Sequence, residues 1–249
     1  MRSKLVAGNW KMHGRRDMAA ALLSALTSRL PDGVDVAVCV PFPYLDQARA
    51  ALAGTALHLG AQDVSECDDG AFTGEVSAGM LLDMGCRYVI VGHSERRARH
   101  GESSRRVADK AASALRAGLT PIVCVGETQE QRLAGKTEAV VAEQLLPVLA
   151  LGAERVERLV IAYEPVWAIG TGLSATVEEA VEVHVAIRKA LDGVSRAAAD
   201  RVQILYGGSV KPETALALFS ADDIDGGLVG GAALDPEAFL AICKAAVAV

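Results

Sequence analysis

The chain has 249 residues, of which 51% are hydrophobic, so it can bury a large core and lacks the composition of a disordered protein. A formal net charge of -6 and a pI near 5.4 argue against a broad basic surface for nucleic acid or for an anionic membrane. An anionic ligand would therefore have to be held by a local group of donors.

The sequence gives no sign of export, membrane insertion or metal binding. The N-terminal stretch MRSKLVAGNWKMHG lacks a long apolar core with a cleavage site, and no uninterrupted apolar run reaches roughly 18 residues. The cysteines are scattered and form no CxxC pair, which argues against a zinc site or a disulfide framework. We therefore expect a cytoplasmic protein with no metal, no organic cofactor and no nucleic-acid or membrane partner.

Short apolar runs alternate with segments of helical periodicity along the whole chain. In chain order, the strand candidates are KLVAGNW, VDVAVCV, ALHLGAQ, RYVIVGH, TPIVCVG, LVIAYE, VQILYGG and DGGLVG. The helix candidates are 17–30, 44–53, 78–84, 104–117, 137–150, 177–191, 211–219 and 235–247. This alternation is typical of parallel strands joined by crossover helices.

Eight such units in 249 residues predict an α/β protein with a closed (β/α)8 TIM barrel. The alternative is a doubly wound sheet, which more often has roughly five to seven strands. No Gly/Ser-rich linker, charge block or low-complexity tract divides the chain. We therefore expect residues 1–249 to form a single barrel domain.

Polar side chains and glycine-rich turns follow several of the predicted strands. In barrels, active sites form where the C-terminal ends of the strands meet the following loops, so these residues are expected to share one face. In chain order they are Asn9 and Lys11 after the first strand, His93 after the fourth, Glu164 after the sixth, Gly207 to Ser209 after the seventh, and Gly230 and Gly231 after the eighth.

Each of these residues also has an ordinary structural interpretation. A strand-end glutamate such as Glu164 can cap a helix or form an ion pair, His93 can be a hydrogen-bonded core residue, and Lys11 can be an exposed lysine. The glycines of YGGSV and LVGGA can serve turns that need a positive φ. Two such turns after the last two strands also suit a phosphate, which backbone amides bind well.

The sequence PVWAIGTG at 165–172, which we call the lid segment, directly follows Glu164. Pro165 cannot continue a strand, and Gly170 and Gly172 give hinge freedom. The four residues between them and Pro165 are too apolar to remain exposed to water without a role. The pattern predicts an apolar cover over Glu164.

A second segment, 63–79, is long for a connection between a strand and a helix. Phe72, Thr73, Gly74 and Glu75 indicate an ordered tip, and a projecting ordered loop commonly docks into another molecule. Cys67 lies in the same loop. We expect this loop to contact a partner subunit, with Cys67 at the interface.

At these residues the sequence closely resembles the triosephosphate isomerase family, over essentially its whole length. Seven stretches carry the resemblance in the family's order: AGNWKM (7–12), GAFTGEVSA (70–78), VIVGHSERR (89–97), IVCVGE (122–127), AYEPVWAIGTG (162–172), YGGSV (206–210) and GGLVGGAAL (226–234). The resemblance implies an enzyme, an aldose-ketose isomerase of glycolysis and gluconeogenesis. It would interconvert dihydroxyacetone phosphate and D-glyceraldehyde 3-phosphate through an enediolate.

The same resemblance implies a role for each candidate residue. Glu164 would be the base, and His93 the electrophile, acting as a neutral imidazole at the start of the helix SERR. Lys11 would add positive charge beside the enediolate, Asn9 would help to position it, and Glu95 would be a secondary acid near Lys11.

The resemblance also implies how the phosphate is held and how the subunits pair. The residues that would offer backbone amides to the phosphate are Gly170, Ser209, Gly230 and Gly231. Loop 63–79 would insert beside Lys11 of the neighbouring subunit in a homodimer. The sequence departs from the family after Gly172, where Leu173 replaces a common lysine; this departure affects the hinge of the lid segment rather than the chemistry.

Two other functions fit the same residues. A lyase could use Lys11 as a Schiff-base nucleophile, although no apolar pocket around it is evident in the sequence. A phosphate-sugar binding protein without catalysis could use the same scaffold. An isomerase assay and borohydride trapping separate these alternatives.

Overall fold

The computed structural model describes residues 2–170 and 174–249, and in that part of the chain eight parallel strands close into a barrel in sequence order. The strands are β1 (Leu5–Asn9), β2 (Asp35–Cys39), β3 (Leu57–Ala61), β4 (Tyr88–Val91), β5 (Thr120–Val125), β6 (Val160–Tyr163), β7 (Gln203–Tyr206) and β8 (Gly226–Val229). β1 pairs with both β2 and β8, which closes the ring. The predicted TIM barrel is confirmed, and the doubly wound alternative is wrong.

Helices lie outside the strands. In the described part of the chain they are α1 (Arg16–Thr27), α2 (Leu45–Leu52), α3 (Ala78–Asp83), α4 (Ser94–His100), α5 (Ser104–Ala117), α6 (Gln129–Leu133), α7 (Thr137–Leu149), α8 (Ala153–Val156), α9 (Val177–Asp192), α10 (Arg196–Arg201), α11 (Pro212–Phe219) and α12 (Pro236–Val247). Each of the eight predicted helices has its counterpart within a few residues. None of the described helices is long and apolar enough to cross a membrane.

Three short helices, α6, α8 and α10, were not predicted from the sequence, whereas the start of α4 was expected at SERR from the family resemblance. The reason is visible in their burial: α6 buries no residue, α8 buries only Val156, and α10 buries only Ala198 and Ala199. A helix without a buried apolar stripe leaves no periodic signal in the sequence. α4 and α6 nevertheless carry residues that matter for the site.

The apolar side chains form two cores because successive residues of a strand point to opposite faces. One cluster consists of strand residues such as Leu5, Ala7 and Ile122 and fills the barrel. The other includes Val6 and the buried faces of the helices. The alternation that places Leu5 and Ala7 inside the barrel also turns Asn9 inward, at the C-terminal end of β1.

The loop at 63–79 has an ordered base and an exposed tip. Ser65 N–H donates to the carbonyl of Val76, and the Ser77 side chain caps α3. Positions 68 to 75 are exposed, whereas Cys67 is partly buried. The long projecting loop therefore ends where α3 begins, at Ala78.

Candidate active site

The predicted residues converge on one cavity of about 520 Å³ at the C-terminal ends of the strands. Eight of the nine candidates line it, and the ninth, Glu95, lines an adjoining cavity. His13 and Lys211 line the same cavity and were not proposed from the sequence. The eight are Asn9, Lys11, His93, Glu164, Gly170, Ser209, Gly230 and Gly231.

Lys11 has an unusual backbone conformation. Its φ of 51° is the one positive φ of a residue other than glycine in the described ranges, and such a conformation costs energy unless its surroundings hold it. The side-chain oxygen of Asn9 accepts a hydrogen bond from Lys11 N–H at 2.9 Å, and Lys11 Nζ lies 2.7 Å from Glu95 Oε1. The two contacts fix the ammonium at the edge of the cavity.

His93 precedes α4 and is largely buried, with 6% of its surface exposed. Glu95 N–H donates to His93 Nδ1 at 3.2 Å, so in this arrangement Nδ1 is the acceptor and Nε2 carries the proton. Nε2 points at Glu164 Oε1, 2.9 Å away. The local helix start thus selects the tautomer that presents an N–H to the cavity.

Two opposing effects act on the pKa of His93. Burial lowers the pKa of His93. The carboxylate of Glu164 and, to a smaller extent, that of Glu95 raise the pKa by more than burial lowers it, so the net shift is upward. The hydrogen bond from Glu95 N–H to Nδ1 stabilises the neutral ring. A substrate that separates His93 from Glu164 would remove the main cause of the upward shift.

Glu164 is almost fully buried, and both of its carboxylate oxygens have partners. Oε2 accepts a hydrogen bond from Ser94 N–H at 2.8 Å, while Oε1 contacts His93. Two glycines make room for it: a Cβ at Gly126 would overlap the carbonyl of Glu164, and one at Gly207 would lie 2.9 Å from Glu164 Cγ. The carboxylate must leave its present partners to act on a bound ligand.

The glycine-rich turns do not require a positive φ, contrary to one of the two interpretations that the sequence allowed. None of Gly207, Gly208, Gly230 and Gly231 has such a φ. A Cβ at Gly208 would overlap the ring and hydroxyl of Tyr206, so close approach explains the first turn. Gly231 begins a short 3₁₀ helix, Gly231–Leu234, and nothing lies within 4 Å of the position of its missing Cβ. This open backbone faces the cavity.

Glu127 is a buried residue of the site region that sequence reasoning missed. None of its surface is exposed, and it accepts hydrogen bonds from the hydroxyl of Tyr163 at 3.1 Å and from Trp167 Nε1 at 2.9 Å. It follows Gly126 at the end of an apolar strand, which is the pattern that drew attention to Glu164. That parallel was the available signal.

A second cavity of about 560 Å³ adjoins the first on the side of Lys11 and Glu95. Met12 and Phe42 line it, and they are 95% and 37% exposed. Across the described ranges, no group of three or more His, Cys, Asp or Glu side chains is arranged to hold a metal ion. Gly172 and Leu173, to which hinge roles were given from the sequence, lie outside the described residues.

Comparison with known proteins decides the family. The family model described as Triosephosphate isomerase matches residues 4–246. The chain belongs to the triosephosphate isomerase family. It is 57% identical over 247 residues to the "Triosephosphate isomerase" of Azoarcus sp. (strain BH72), covering 99% of this chain and 100% of that protein.

Other relatives that carry the same name are equally similar. The protein of Thiobacillus denitrificans is 58% identical over 247 residues, covering 99% of both chains. That of Bordetella pertussis is 58% identical over 247 residues, covering 98% of both. The resemblance seen in the sequence is confirmed, and membership of this family makes the chain an isomerase.

Proposed function

We propose that the protein interconverts dihydroxyacetone phosphate and D-glyceraldehyde 3-phosphate by proton transfer through an enediolate. The observation that carries the proposal is the contact of 2.9 Å between the Glu164 carboxylate and His93 Nε2 in a cavity that Lys11 also lines. A buried base and an N–H donor facing the same space suit removal of a proton from the carbon beside a carbonyl.

In the proposed reaction, Glu164 takes the proton from the carbon next to the substrate carbonyl and later returns it to the neighbouring carbon. His93 donates a hydrogen bond from Nε2 to the carbonyl oxygen, where negative charge develops. This family is a standard example of a carboxylate base paired with a neutral imidazole. The acceptor role of Nδ1 supports the neutral form.

The cation and the amide are assigned supporting roles. Lys11 stabilises the developing negative charge, since its ammonium borders the cavity. Asn9 holds Lys11 through the hydrogen bond to Lys11 N–H, and Glu95 orients the ammonium through its ion pair. These contacts hold the Lys11 ammonium at the edge of the cavity in a protein whose net charge of -6 would otherwise repel a dianionic substrate.

The phosphate is proposed to bind the backbone amides of Gly170, Ser209, Gly230 and Gly231. All four line the same cavity as Glu164 and His93. Open backbone at Gly231 can approach a phosphate closely. The lid segment is proposed to cover the bound substrate, because an enediolate exposed to water would eliminate phosphate.

The experiment is a coupled isomerase assay on the purified protein in both directions, with Glu164→Gln as the inactive control. Turnover in the wild type and its loss in the variant support the proposal, while an inactive wild type that still binds the sugar phosphate would favour a binding protein. Borohydride trapping tests the lyase alternative. The ion pair of Lys11 with Glu95 argues against that alternative, because a Schiff-base lysine has to supply an uncharged amine.

We further propose a homodimer in which the tip of loop 63–79 enters the second cavity of the partner subunit. Exposed apolar side chains in the loop, just after it and in the second cavity support it: Phe72, Met80 and Met12 are 47%, 53% and 95% exposed. Sedimentation equilibrium tests the assembly. A place in glycolysis and gluconeogenesis makes the cytoplasm the proposed location, which cell fractionation tests.

A further inference from the structure

Arg132, in the short helix α6, contacts both the lid segment and the helix that follows it. Its guanidinium carbon lies 4.6 Å from the centre of the Trp167 ring, in the geometry of a cation–π contact. The same guanidinium forms an ion pair with Glu179, with 2.6 Å between Arg132 Nη2 and Glu179 Oε1. One side chain therefore connects the start of the lid segment with α9, which begins after it.

The contact with Trp167 is part of a larger arrangement around Glu127. Trp167 Nε1 donates to Glu127 Oε1, and Arg132 Nη1 lies 3.5 Å from the same oxygen. Val166 N–H donates to the carbonyl of Glu127 at 3.1 Å. The 3₁₀ turn Val166–Ala168, which we call the Trp167 turn, is thus held from its backbone, its indole N–H and its ring face.

On the far side of the lid segment, Glu179 holds the first turn of α9. The Thr176 side chain accepts from Glu179 N–H, and Glu179 Oε2 accepts from Thr176 N–H at 2.8 Å, which is a capping box. The second oxygen of Glu179 is the one that binds Arg132. The cap of α9 and the Trp167 turn therefore share Arg132 as a common neighbour.

The Trp167 turn begins two residues after Glu164, whose carboxylate is occupied by Ser94 and His93. This arrangement is a resting one, because the proposed base cannot meet a substrate carbon while both oxygens face the protein. Gly170, three residues after Trp167, is proposed to donate its backbone N–H to the phosphate. Phosphate binding at Gly170 and the contact of Arg132 with Trp167 therefore both affect the position of the same short segment.

We propose that Arg132 is a positioning residue that holds the Trp167 turn in its resting place. It thereby sets the free energy that is needed to move this turn toward a bound phosphate. The proposal rests on the proposed function, since it concerns the same site. Arg132 does not line the 520 Å³ cavity in which the substrate is proposed to bind. It acts through Trp167 on one side and Glu179 on the other.

Removing the guanidinium takes away the contacts with Trp167 and Glu179 that hold the turn in its resting place, and on this proposal it does not weaken the phosphate-bound position. Arg132→Met, which keeps an unbranched apolar side chain, should lower the KM for dihydroxyacetone phosphate and the Kd for inorganic phosphate by about three- to tenfold. The value of kcat should fall or stay constant, because tighter holding of the phosphate does not speed its release. Arg132→Lys should restore part of the wild-type KM, since lysine keeps the charge and loses the planar stacking.

A direct probe follows Trp167 itself without enzyme turnover. The chain has two tryptophans, Trp10 and Trp167, so protein labelled with 5-fluorotryptophan gives two fluorine resonances, which Trp167→Phe assigns. Arg132→Met should shift the Trp167 resonance of the free protein toward its phosphate-bound position and leave that of the buried Trp10 unchanged.

Two matched variants separate positioning from general effects. Glu179→Gln keeps an oxygen for the α9 cap but loses its charge, and it should change the KM in the same direction by a smaller factor. Arg196→Met removes an exposed arginine that pairs with Asp192 and Asp200 on the helical surface, and it should change neither the KM nor the Trp167 resonance. An unchanged or raised KM together with an unmoved Trp167 resonance in Arg132→Met overturns the proposal.

Failure of the proposed function is recognised separately. If the wild-type protein does not isomerise triose phosphates, the fluorine titration with inorganic phosphate still measures how Arg132 affects Trp167. A shift in Arg132→Met then supports the positioning role, and its absence overturns it.

Discussion

Glu164 Oε1 lies 2.9 Å from His93 Nε2, so the proposed base and the proposed electrophile contact each other before any substrate lies between them. In the proposed reaction, the substrate inserts its carbonyl carbon and oxygen at this contact. The two residues come from β6 and β4, which flank β5, and Gly126 at the end of β5 allows the backbone of Glu164 to approach closely.

Shortening the base should damage the chemistry more than binding. Glu164→Asp withdraws the carboxylate by on the order of 1 Å, and a displacement of that size should lower kcat by about 10²-fold with a much smaller change in KM. Steady-state kinetics in both directions measure it, with circular dichroism to show that the variant is folded. A folded variant with wild-type kcat would remove Glu164 from the role of base.

The pKa of His93 should fall when the neighbouring charge is removed. In Glu164→Gln the effect of burial, which lowers the pKa, is no longer outweighed by the carboxylate. Nitrogen-15 shifts of the labelled imidazole across a pH series should show a lower pKa in the variant than in the wild type. An unchanged pKa would mean that Glu164 does not control the charge of His93.

The same shift has a consequence for stability. Because the folded-state pKa of His93 is raised from 6.5, its protonation contributes stability that is present below 6.5 and lost as the pH rises through the folded-state pKa. Glu164→Gln should lack this contribution. Urea unfolding at several pH values should therefore show a wild-type advantage that shrinks as the pH rises.

His184 should limit the stability of the fold in acid. It is fully buried, its Nδ1 donates to the carbonyl of Asp223 at 2.9 Å, and among the described residues its Nε2 has no hydrogen-bond partner. Burial first, and then the charge of Arg188, lower its pKa, against the opposing effects of Asp223 and Asp225, to about 4. In the unfolded chain His184 is therefore protonated as the pH falls through about 6.5, whereas in the folded chain it is protonated only near pH 4.

Stability should consequently fall as the pH drops from about 6.5 to about 4, by on the order of 3 kcal/mol for this group. His184→Asn keeps an N–H for the carbonyl of Asp223 but does not titrate. It should lose some stability at every pH, because the contact of His184 with the edge of Tyr163 is gone, yet show a flatter dependence between those limits. Equal slopes in variant and wild type would assign the acid sensitivity to other groups.

Much of the fold and of the site was predictable from the sequence, because the signals were local. Eight buried strands each leave an apolar run, and the residues after them must lie at one end of a barrel, as Lys11, His93 and Glu164 do. The contacts between them were not predictable. The pairing of His93 with Glu164 depends on the closing geometry of three strands, and no periodic pattern encodes it.

Arg132 is an example of a residue whose contacts could not be predicted from the sequence. Its helix α6 buries no residue and leaves no apolar period, and its partners Trp167 and Glu179 lie 35 and 47 positions further along the chain. The glycines of YGGSV were equally ambiguous. The sequence allows a positive φ or a close approach there, and only the position of the Tyr206 ring decides for close approach at Gly208.

Assembly supplies the last prediction, which concerns Cys67 in loop 63–79. Cys67 is partly buried, and its N–H donates to Ser65 Oγ at 3.4 Å, so it lies at the ordered base of the loop rather than at the exposed tip. An arginine at this position would add a bulky charge beside the proposed interface without reaching the 520 Å³ cavity, which Cys67 does not line. We expect Cys67→Arg to shift the protein toward the monomer and to lower its activity at low protein concentration, while the activity recovers as the concentration rises.

Cys67→Ser, which keeps the size of the side chain, is the matched control and should behave as the wild type. Sedimentation across a concentration series measures both variants. A Cys67→Arg protein with wild-type dimer stability would remove Cys67 from the interface, and a fully active monomeric wild type would contradict the proposed homodimer itself.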